Sequence, residues 1–184
     1  MKTLLKGFTI VVIAGFLLSL AGLLAYDIFV FSPHSDEIHG LIENANSEDR
    51  DPPKIVEELI SASHGKPLMV SSFVARQLLL HFEFENSKGT LRRHARTLIW
   101  WSLAYLHLNE SETFALYCAL VWNGKDQGLN KLSQRLFDNS ISELTEMEAA
   151  TVVAVLASPA MMLRDEQRLH QRRDYLLEQI VRMK

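Results

Sequence analysis

The feature that most restricts the fold of this 184-residue chain is a long apolar segment near its start. The run extends from Phe8 to Phe31 and is interrupted by a charge only at Asp27, near its end. An α-helix needs about 20 consecutive apolar residues to cross the hydrocarbon core of a bilayer. A cleaved signal peptide is the alternative, because Ser19-Leu20-Ala21 fits a cleavage site, but the run continues well past Ala21. The sequence therefore predicts an uncleaved membrane anchor.

Charged residues on either side of this run predict its orientation. Lys2 and Lys6 precede the run, whereas Asp36 and Glu37 follow it. Lysines next to a spanning helix are retained on the cytoplasmic side. We therefore expect a cytoplasmic N-terminus and anchor over residues 1–32, and a single domain over residues 33–184 outside the cytoplasm.

The composition excludes several classes of function. The chain has 19 basic and 22 acidic residues, and a nucleic-acid-binding domain would usually be basic, so we expect no nucleic-acid partner. The seven histidines show no metal-ligand spacing, and no cofactor motif is present, so neither a metal nor a cofactor is expected. Cys118 is the only cysteine, and its apolar neighbours indicate a buried thiol.

The segment ELTEMEAATVVAVLASP, from Glu143 to Pro159, predicts a core helix. Thr145 and Glu148 form a capping box, in which each side chain accepts a hydrogen bond from the backbone of the other residue. The helix that follows is apolar on nearly all sides but too short to span a bilayer. It is therefore expected to be buried in a folded domain, with its end at Ser158-Pro159.

The remainder of the domain also predicts helices, because no stretch shows the alternation of a β-sheet. Asn109 and Glu112 form a second capping-box start. In the longest helix, Leu91, Leu98 and Tyr105 are among the residues expected to face inward, together with Trp101. The fold class is therefore all-α, with helices expected over residues 35–44, 53–62, 70–82, 90–108 and 129–137 and from about 164 onward.

Glu48-Asp49-Arg50-Asp51 is the first of two charged clusters that are candidates for chemistry. Its acidic side chains fall in a predicted loop, where one of them could act as a general base. The alternative interpretation is a solvated loop whose aspartates cap neighbouring helices.

The second cluster is formed by Arg92, Arg93 and Arg96, at the start of the long predicted helix. Arg92 and Arg96 are four residues apart and share one helix face. Positive charge at a helix N-terminus interacts unfavourably with the helix dipole, so this cluster destabilises the helix locally. The planar guanidinium of arginine can bind a diphosphate through paired hydrogen bonds, so the cluster is a candidate diphosphate site. The alternative interpretation is that the arginines form ion pairs with Glu83 and Glu85.

Several segments, in order, resemble the peptidoglycan glycosyltransferases of family 51. LFDNSISELTEMEAATVVAVLASP is similar to the family helix Tyr-Phe-Gly-Lys-x-x-x-x-Leu-Thr-x-x-Glu-Ala-Ala and its proline-containing end. RLHQRRDYLLEQI is similar to the helix Arg-Arg-x-x-Val-Leu-x-x-Met, and TFALYCALVWNGKDQGLNKLSQRLF follows the pattern Ile-Leu-Glu-x-Tyr-Leu-Asn with its glycine turn. The resemblance covers roughly residues 40–182 and implies a lysozyme-like multi-helix domain, anchored by a single span in the bacterial inner membrane.

The catalytic motifs of that family are only partly present, so the chain resembles a shortened and degenerate member. The family's first motif, Glu-Asp-x-x-Phe-x-x-His-x-Gly, is reduced to Glu48 and Asp49, and the resemblance implies that Glu48 is the general base. The second motif, Gly-Gly-Ser-Thr-Ile-Thr-Gln-Gln, retains Ser72 and Gln77. Gln77 is therefore a candidate for substrate binding, together with the three arginines.

Two further motifs have lost their carboxylates. The family's Arg-Lys-x-x-Glu corresponds here to residues 93–97, where Thr97 replaces a glutamate implied at the donor site. In the next motif, Ala115 and Ala119 replace a glutamate and an asparagine. Without a preorganised surround, Glu48 would be an ordinary exposed acid, poorly matched to base chemistry at neutral pH.

Three hypotheses follow from this pattern. The first is a catalytically impaired protein that binds or scaffolds in cell-wall synthesis, holding lipid II, a glycan strand or an active polymerase. The second is a reduced but active glycosyltransferase that polymerises lipid II. The third is a remnant of the fold whose anchor and surface matter but whose cleft does not.

Overall fold

The computed structural model describes residues 2–65, 67–82 and 89–183 and divides the chain into two compact units, residues 1–38 and 39–184. The first unit comprises helix α1 (Lys2–Tyr26), a wide π-turn (Asp27–Phe31), a 3₁₀ turn (Ser32–His34) and the first residues of helix α2 (Ser35–Glu43). Within the described chain, residues 8–43 are the one helical stretch long and apolar enough to cross a membrane, and an 18-residue window within it has a mean hydropathy of 2.5. The predicted anchor is therefore a candidate membrane span.

The second unit consists of helices joined by short turns. The described residues contain no β-strand, and their only extended pairing is an isolated bridge between Trp122 and Gln127. The all-α prediction is confirmed. The helices are α3 (Ser47–Arg50), α4 (Lys54–His64), α5 (Pro67–His81), α6 (Thr90–His107), α7 (Glu110–Leu120), α8 (Leu129–Phe137), α9 (Glu146–Val155), α10 (Pro159–Met162) and α11 (Glu166–Met183).

Helix α9 forms the centre of this unit and packs against α4, α8 and α11. Val152, Val153 and Val155 are fully or almost fully buried on it, and burying one such side chain contributes roughly 1.5–3 kcal/mol. The prediction of a core helix is confirmed. The helix nevertheless ends two residues before Ala157, which is exposed, and Met147 in its first turn is 55% exposed.

Both predicted capping boxes are present. Glu148 accepts a hydrogen bond from the Thr145 backbone N–H at 2.8 Å, and the Thr145 hydroxyl oxygen accepts one from the Glu148 N–H at 3.3 Å. Asn109 and Glu112 make the same reciprocal pair at the start of α7. These bonds satisfy backbone donors that have no partner inside the helix. Cys118, on α7, is buried as expected.

The buried face of α6 differs from the predicted one. Leu91, Leu98 and Tyr105, expected to face inward, are 84%, 57% and 61% exposed. The buried residues are instead Trp100, Leu103 and Ala104, on the side that packs against α5. Apolar residues occur on both sides of this helix, so periodicity alone could not decide which side the neighbouring helix would cover.

Candidate functional site

A cavity of about 660 Å³ opens between helices α5 and α6, with the end of α4 in its wall. Its volume is within the range of small-molecule sites. The apolar part of the wall comes from α5, which contributes Met69, Phe73 and Leu79. The polar residues that line it are His64, Ser72, Arg76, Arg93, His94, Arg96 and Thr97.

The polar part of this cavity is cationic. Arg76 projects from α5 and Arg93 and Arg96 from α6, and no aspartate or glutamate is among the described residues that line the wall. Within the described ranges, Arg76 and Arg93 take part in no ion pair, whereas Arg96 has a further interaction of its own. Two arginines that have no acidic partner among the described residues favour an anionic ligand in this cavity.

The start of helix α6 adds to this positive potential. Gly89 precedes the helix with a φ of 114°, a conformation that glycine adopts readily, and no side chain of the described residues caps the helix there. The first turn contains no acidic residue, so no carboxylate within that turn offsets the partial positive charge of the helix N-terminus. Arg93 and His94 therefore lie where the backbone dipole also favours an anion.

Thr97 lies in the cavity wall at the position where the resemblance implies a glutamate. Its hydroxyl donates a hydrogen bond to the Arg93 backbone carbonyl at 3.0 Å, within the same helix. A threonine side chain cannot carry the negative charge of a carboxylate. The wall therefore contributes a hydroxyl where acid–base chemistry would need a titratable group.

The residues predicted to bind substrate are placed differently from one another. Arg93 and Arg96 line the cavity, whereas Arg92 is exposed outside the wall and Gln77 is half-buried outside it. Glu83 and Glu85, the alternative partners of the arginines, lie outside the described residues. Sequence reasoning missed Arg76, although its spacing of four residues from Ser72 on a predicted helix was the available signal.

Glu48, the predicted general base, is on the short helix α3 rather than in a loop. The side chain of Asn46 caps this helix by accepting a hydrogen bond from the Glu48 backbone N–H at 2.9 Å. Glu48 is half-buried and is not among the residues that line the cavity. Its catalytic role remains a prediction from sequence.

The neighbouring acid, Asp49, is buried, with only 3% of its surface exposed. Its Oδ1 accepts a hydrogen bond from the Asn130 backbone N–H at 2.7 Å, at the start of α8. Gly128 leaves room for this carboxylate, because a Cβ there would lie 3.1 Å from Asp49 Oδ2. Burial raises the pKa of Asp49 to about 6, although the backbone N–H groups of Asn130 and Leu129 act in the opposite direction. Asp49 thus connects α3 to α8.

These features define a class of protein: a helical domain that follows a candidate membrane span and contains a cavity suited to an anionic ligand. The profile of the transglycosylase family matches residues 51–181, and the chain therefore belongs to this family, whose domain is that of glycosyltransferase family 51. The match begins after Glu48 and Asp49. A comparison with curated proteins finds no match. Membership supports a peptidoglycan glycosyltransferase-like function in general and a location in the cell envelope.

Proposed function

We propose that this protein is a membrane-anchored, non-catalytic member of its family that binds a lipid-linked diphosphate in cell-wall synthesis. Lipid II is the ligand that the family relationship favours, and a growing glycan strand is related in chemistry. In this role the protein would hold substrate or product beside an active cell-wall polymerase. No cofactor or metal enters the proposal.

The observation that carries this proposal is the composition of the cavity wall. Arg76 and Arg93 supply positive charge and several N–H donors, which is what binding a diphosphate requires. Glycosyl transfer needs in addition a base for the attacking hydroxyl, and the described wall contains no carboxylate. The described wall thus has arginines that can bind a diphosphate but no carboxylate that could serve as the base, which supports binding without turnover.

The positions of the replaced carboxylates support the same interpretation. Thr97 is in the wall, and Ala115 is buried in α7 with 1% of its surface exposed. Glu48 stands on α3, outside the wall. Loss of one well-placed acid or base costs about 10²–10⁴ in rate, so the loss of several leaves little catalysis.

The anchor gives the proposed ligand a plausible route to the site. We propose a single span with the N-terminus in the cytoplasm and the domain over residues 33–184 outside the inner membrane, because Lys2 and Lys6 precede the span. A lipid-linked ligand in the same membrane is then confined near the domain. Such confinement raises the effective concentration of the ligand.

The absence of catalysis is tested with the purified full chain in detergent and labelled lipid II. We expect no glycan polymer above a control without protein. An active family polymerase assayed in parallel shows that the substrate and conditions are competent. Polymer formed by this chain, and abolished in Glu48→Gln, would replace the proposal by the active-enzyme alternative.

Binding is tested by measuring the affinity of the full chain for a polyprenyl diphosphate in the same detergent. We expect Arg93→Gln to weaken binding about 10-fold or more, because charge-assisted hydrogen bonds are lost. Arg164→Gln is the matched control, since Arg164 is exposed and lies outside the cavity wall. Equal affinity of the parent and Arg93→Gln would contradict the proposal.

A further inference from the structure

A second cavity, of about 420 Å³, lies among the start of α5, the end of α6 and the start of α7. Its volume is also within the range of small-molecule sites. No described residue lines both this cavity and the arginine-lined one. On α5, Ser71 lines the second cavity and the next residue, Ser72, lines the first. The two cavities therefore lie on different sides of α5 and are separate sites.

The hydroxyl of Ser71 is the most unusual group in this second cavity. Ser71 is buried, with 7% of its surface exposed, and its hydroxyl has no hydrogen-bond partner among the described residues. Buried polar groups in proteins are nearly always hydrogen-bonded. The oxygen is not sealed within the core, because the only sealed side-chain atom without a partner in the described chain is Arg172 Nε. The hydroxyl is therefore open to the cavity and available to a ligand.

Thr113 and Glu110, both on α7, add acceptors to the same wall. The Thr113 hydroxyl donates its proton to the Asn109 carbonyl at 2.9 Å, so its oxygen can only accept a further hydrogen bond. Glu110 is exposed and takes part in no ion pair with the described residues. It is also the only charged residue in the described part of the wall. A ligand in this cavity thus meets a carboxylate and two hydroxyl oxygens.

The surroundings of Glu110 are acidic. Burial raises the pKa of Glu57 on α4, and the negative charges of Glu110 and Asp51 raise it further. The positive charge of Lys54 acts in the opposite direction with a smaller effect. A cation beside Glu110 would therefore be attracted by more than one carboxylate, whereas an anion would be repelled. This cavity thus favours a ligand of the opposite charge to a diphosphate.

The rest of the described wall is apolar. Val70, Leu108 and Phe114 are buried and contribute hydrocarbon surface. Tyr105 is 61% exposed, and its aromatic ring can attract a cation through its face. A wall of this composition suits a ligand that has a hydrocarbon part next to a positive charge.

We propose that this second cavity binds a primary ammonium group carried on a short hydrocarbon chain. The three N–H donors of such a group match the carboxylate of Glu110 and the hydroxyl oxygens of Ser71 and Thr113, while the chain packs against the apolar wall. The lysine side chain of a peptide and a free alkylamine share this chemistry. The site does not depend on the proposed function, because the residues that bind the diphosphate there line the other cavity.

The test uses the full chain in detergent at neutral pH, titrated with Nα-acetyl-lysine amide and followed by NMR of the ligand. The Nε-acetylated form of the same compound keeps the hydrocarbon chain and lacks the charge. We expect the charged ligand to bind about 10-fold more tightly than the acetylated one. Butylamine, which has the length of the lysine side chain, distinguishes a free amine from a peptide as the source.

Two variants remove the proposed ligand contacts without removing packing. Glu110→Gln should weaken binding of the lysine derivative about fivefold or more, because the charge-assisted contact is lost. Ser71→Ala should weaken it about threefold and leave the melting temperature unchanged or higher, since the hydroxyl has no partner to lose and alanine favours the helix. Glu146→Gln is the matched control, because Glu146 is exposed at the first position of α9, as Glu110 is at that of α7.

Each outcome supports or overturns the amine site. Tighter binding of the charged ligand that Glu110→Gln and Ser71→Ala weaken and Glu146→Gln does not supports it, and butylamine binding with the same dependence identifies a free amine as sufficient. Equal affinity for the charged and acetylated ligands, or equal losses in Glu110→Gln and Glu146→Gln, would overturn it.

The two proposals can fail separately. Arg93→Gln should leave the affinity for the lysine derivative unchanged, and Glu110→Gln should leave the affinity for a polyprenyl diphosphate unchanged, because each residue lines a different cavity. Failure of the diphosphate to bind, with lysine binding intact, would contradict only the proposed function. A loss of lysine binding in Arg93→Gln equal to that in Glu110→Gln would overturn the separate amine site.

Discussion

Glu48 and Asp49 are adjacent acids with different environments, and the difference arises at the scale of single residues. On a helix, consecutive side chains point about 100° apart, so one of the two can be buried while the other remains accessible. Asp49 points inward to the backbone N–H of Asn130, whereas Glu48 is half-buried. A carboxylate that accepts hydrogen bonds at the start of α8 has a structural role. Of these two acids, only Glu48 therefore remains a candidate for the general base.

The raised pKa of Asp49 predicts a specific dependence of stability on pH. An acid whose pKa is higher in the folded than in the unfolded protein binds its proton more tightly when folded. Its stabilising contribution is complete below the ordinary value of 3.8 and is lost as the pH rises through about 6. Asp49→Asn removes this titration.

We therefore expect the stability of the parent relative to Asp49→Asn to fall by on the order of 3 kcal/mol between pH 4 and pH 7. Denaturant unfolding of both proteins, followed by tryptophan fluorescence, to which the buried Trp100 contributes, measures this difference at each pH. A difference that stays constant across the range would show that Asp49 does not titrate as inferred.

Arg92 and Arg93 provide a test of helix geometry within the arginine cluster. The sequence predicts both as substrate-binding residues, but only Arg93 lines the cavity. We expect Arg92→Gln to weaken the binding of a polyprenyl diphosphate less than Arg93→Gln does. Both substitutions remove one charge from the same helix and preserve helix propensity. Equal losses would mean that net charge, rather than position in the wall, governs binding.

At the scale of helices, the parts that could be predicted from sequence are those determined locally. The capping boxes at Asn109 and Thr145 fix the starts of α7 and α9, and Gly65, with a φ of 82°, ends α4. The buried face of α6 could not be predicted, because it depends on where α5 packs. Leu98 and Trp100 are similarly apolar in sequence, yet Leu98 is exposed and Trp100 is buried.

A substitution in helix α9 tests whether this helix is part of the core. Val153→Asp would place an unpaired charge where the native side chain is 1% exposed, and should cost on the order of 4 kcal/mol or more, enough to unfold the domain. Met147→Asp is the matched control, since Met147 is exposed in the first turn, where a negative charge favours the helix dipole. Circular dichroism melting should separate the two variants. Unchanged melting of Val153→Asp would show that α9 is peripheral.

At the scale of the whole molecule, the candidate site combines residues that are distant in sequence. His64, Arg76 and Arg93 come from three helices, and the Asp49–Asn130 hydrogen bond joins residues 81 positions apart. The family resemblance identified the arginines of α6 because they fall within a motif. It did not identify Arg76 or His64, because their positions in the cavity wall depend on how α4, α5 and α6 pack together. The patterns in a single sequence predict local structure, but they do not predict these long-range contacts.

The orientation of the whole chain in the membrane follows from the charges that flank the candidate span. Lys2 and Lys6 lie before it, and positive residues are retained in the cytoplasm, so the C-terminus is expected outside. A reporter that is active only in the cytoplasm should therefore be silent when fused after Lys184, and active when fused before the N-terminus. A reporter active only outside the cytoplasm should show the reverse pattern, which excludes poor expression as the cause of silence. Retention of an N-terminal tag on the membrane-bound protein tests whether the anchor is uncleaved. Cytoplasmic activity at Lys184 would refute the orientation, and with it the proposal that the arginine-lined cavity binds its ligand outside the cytoplasm.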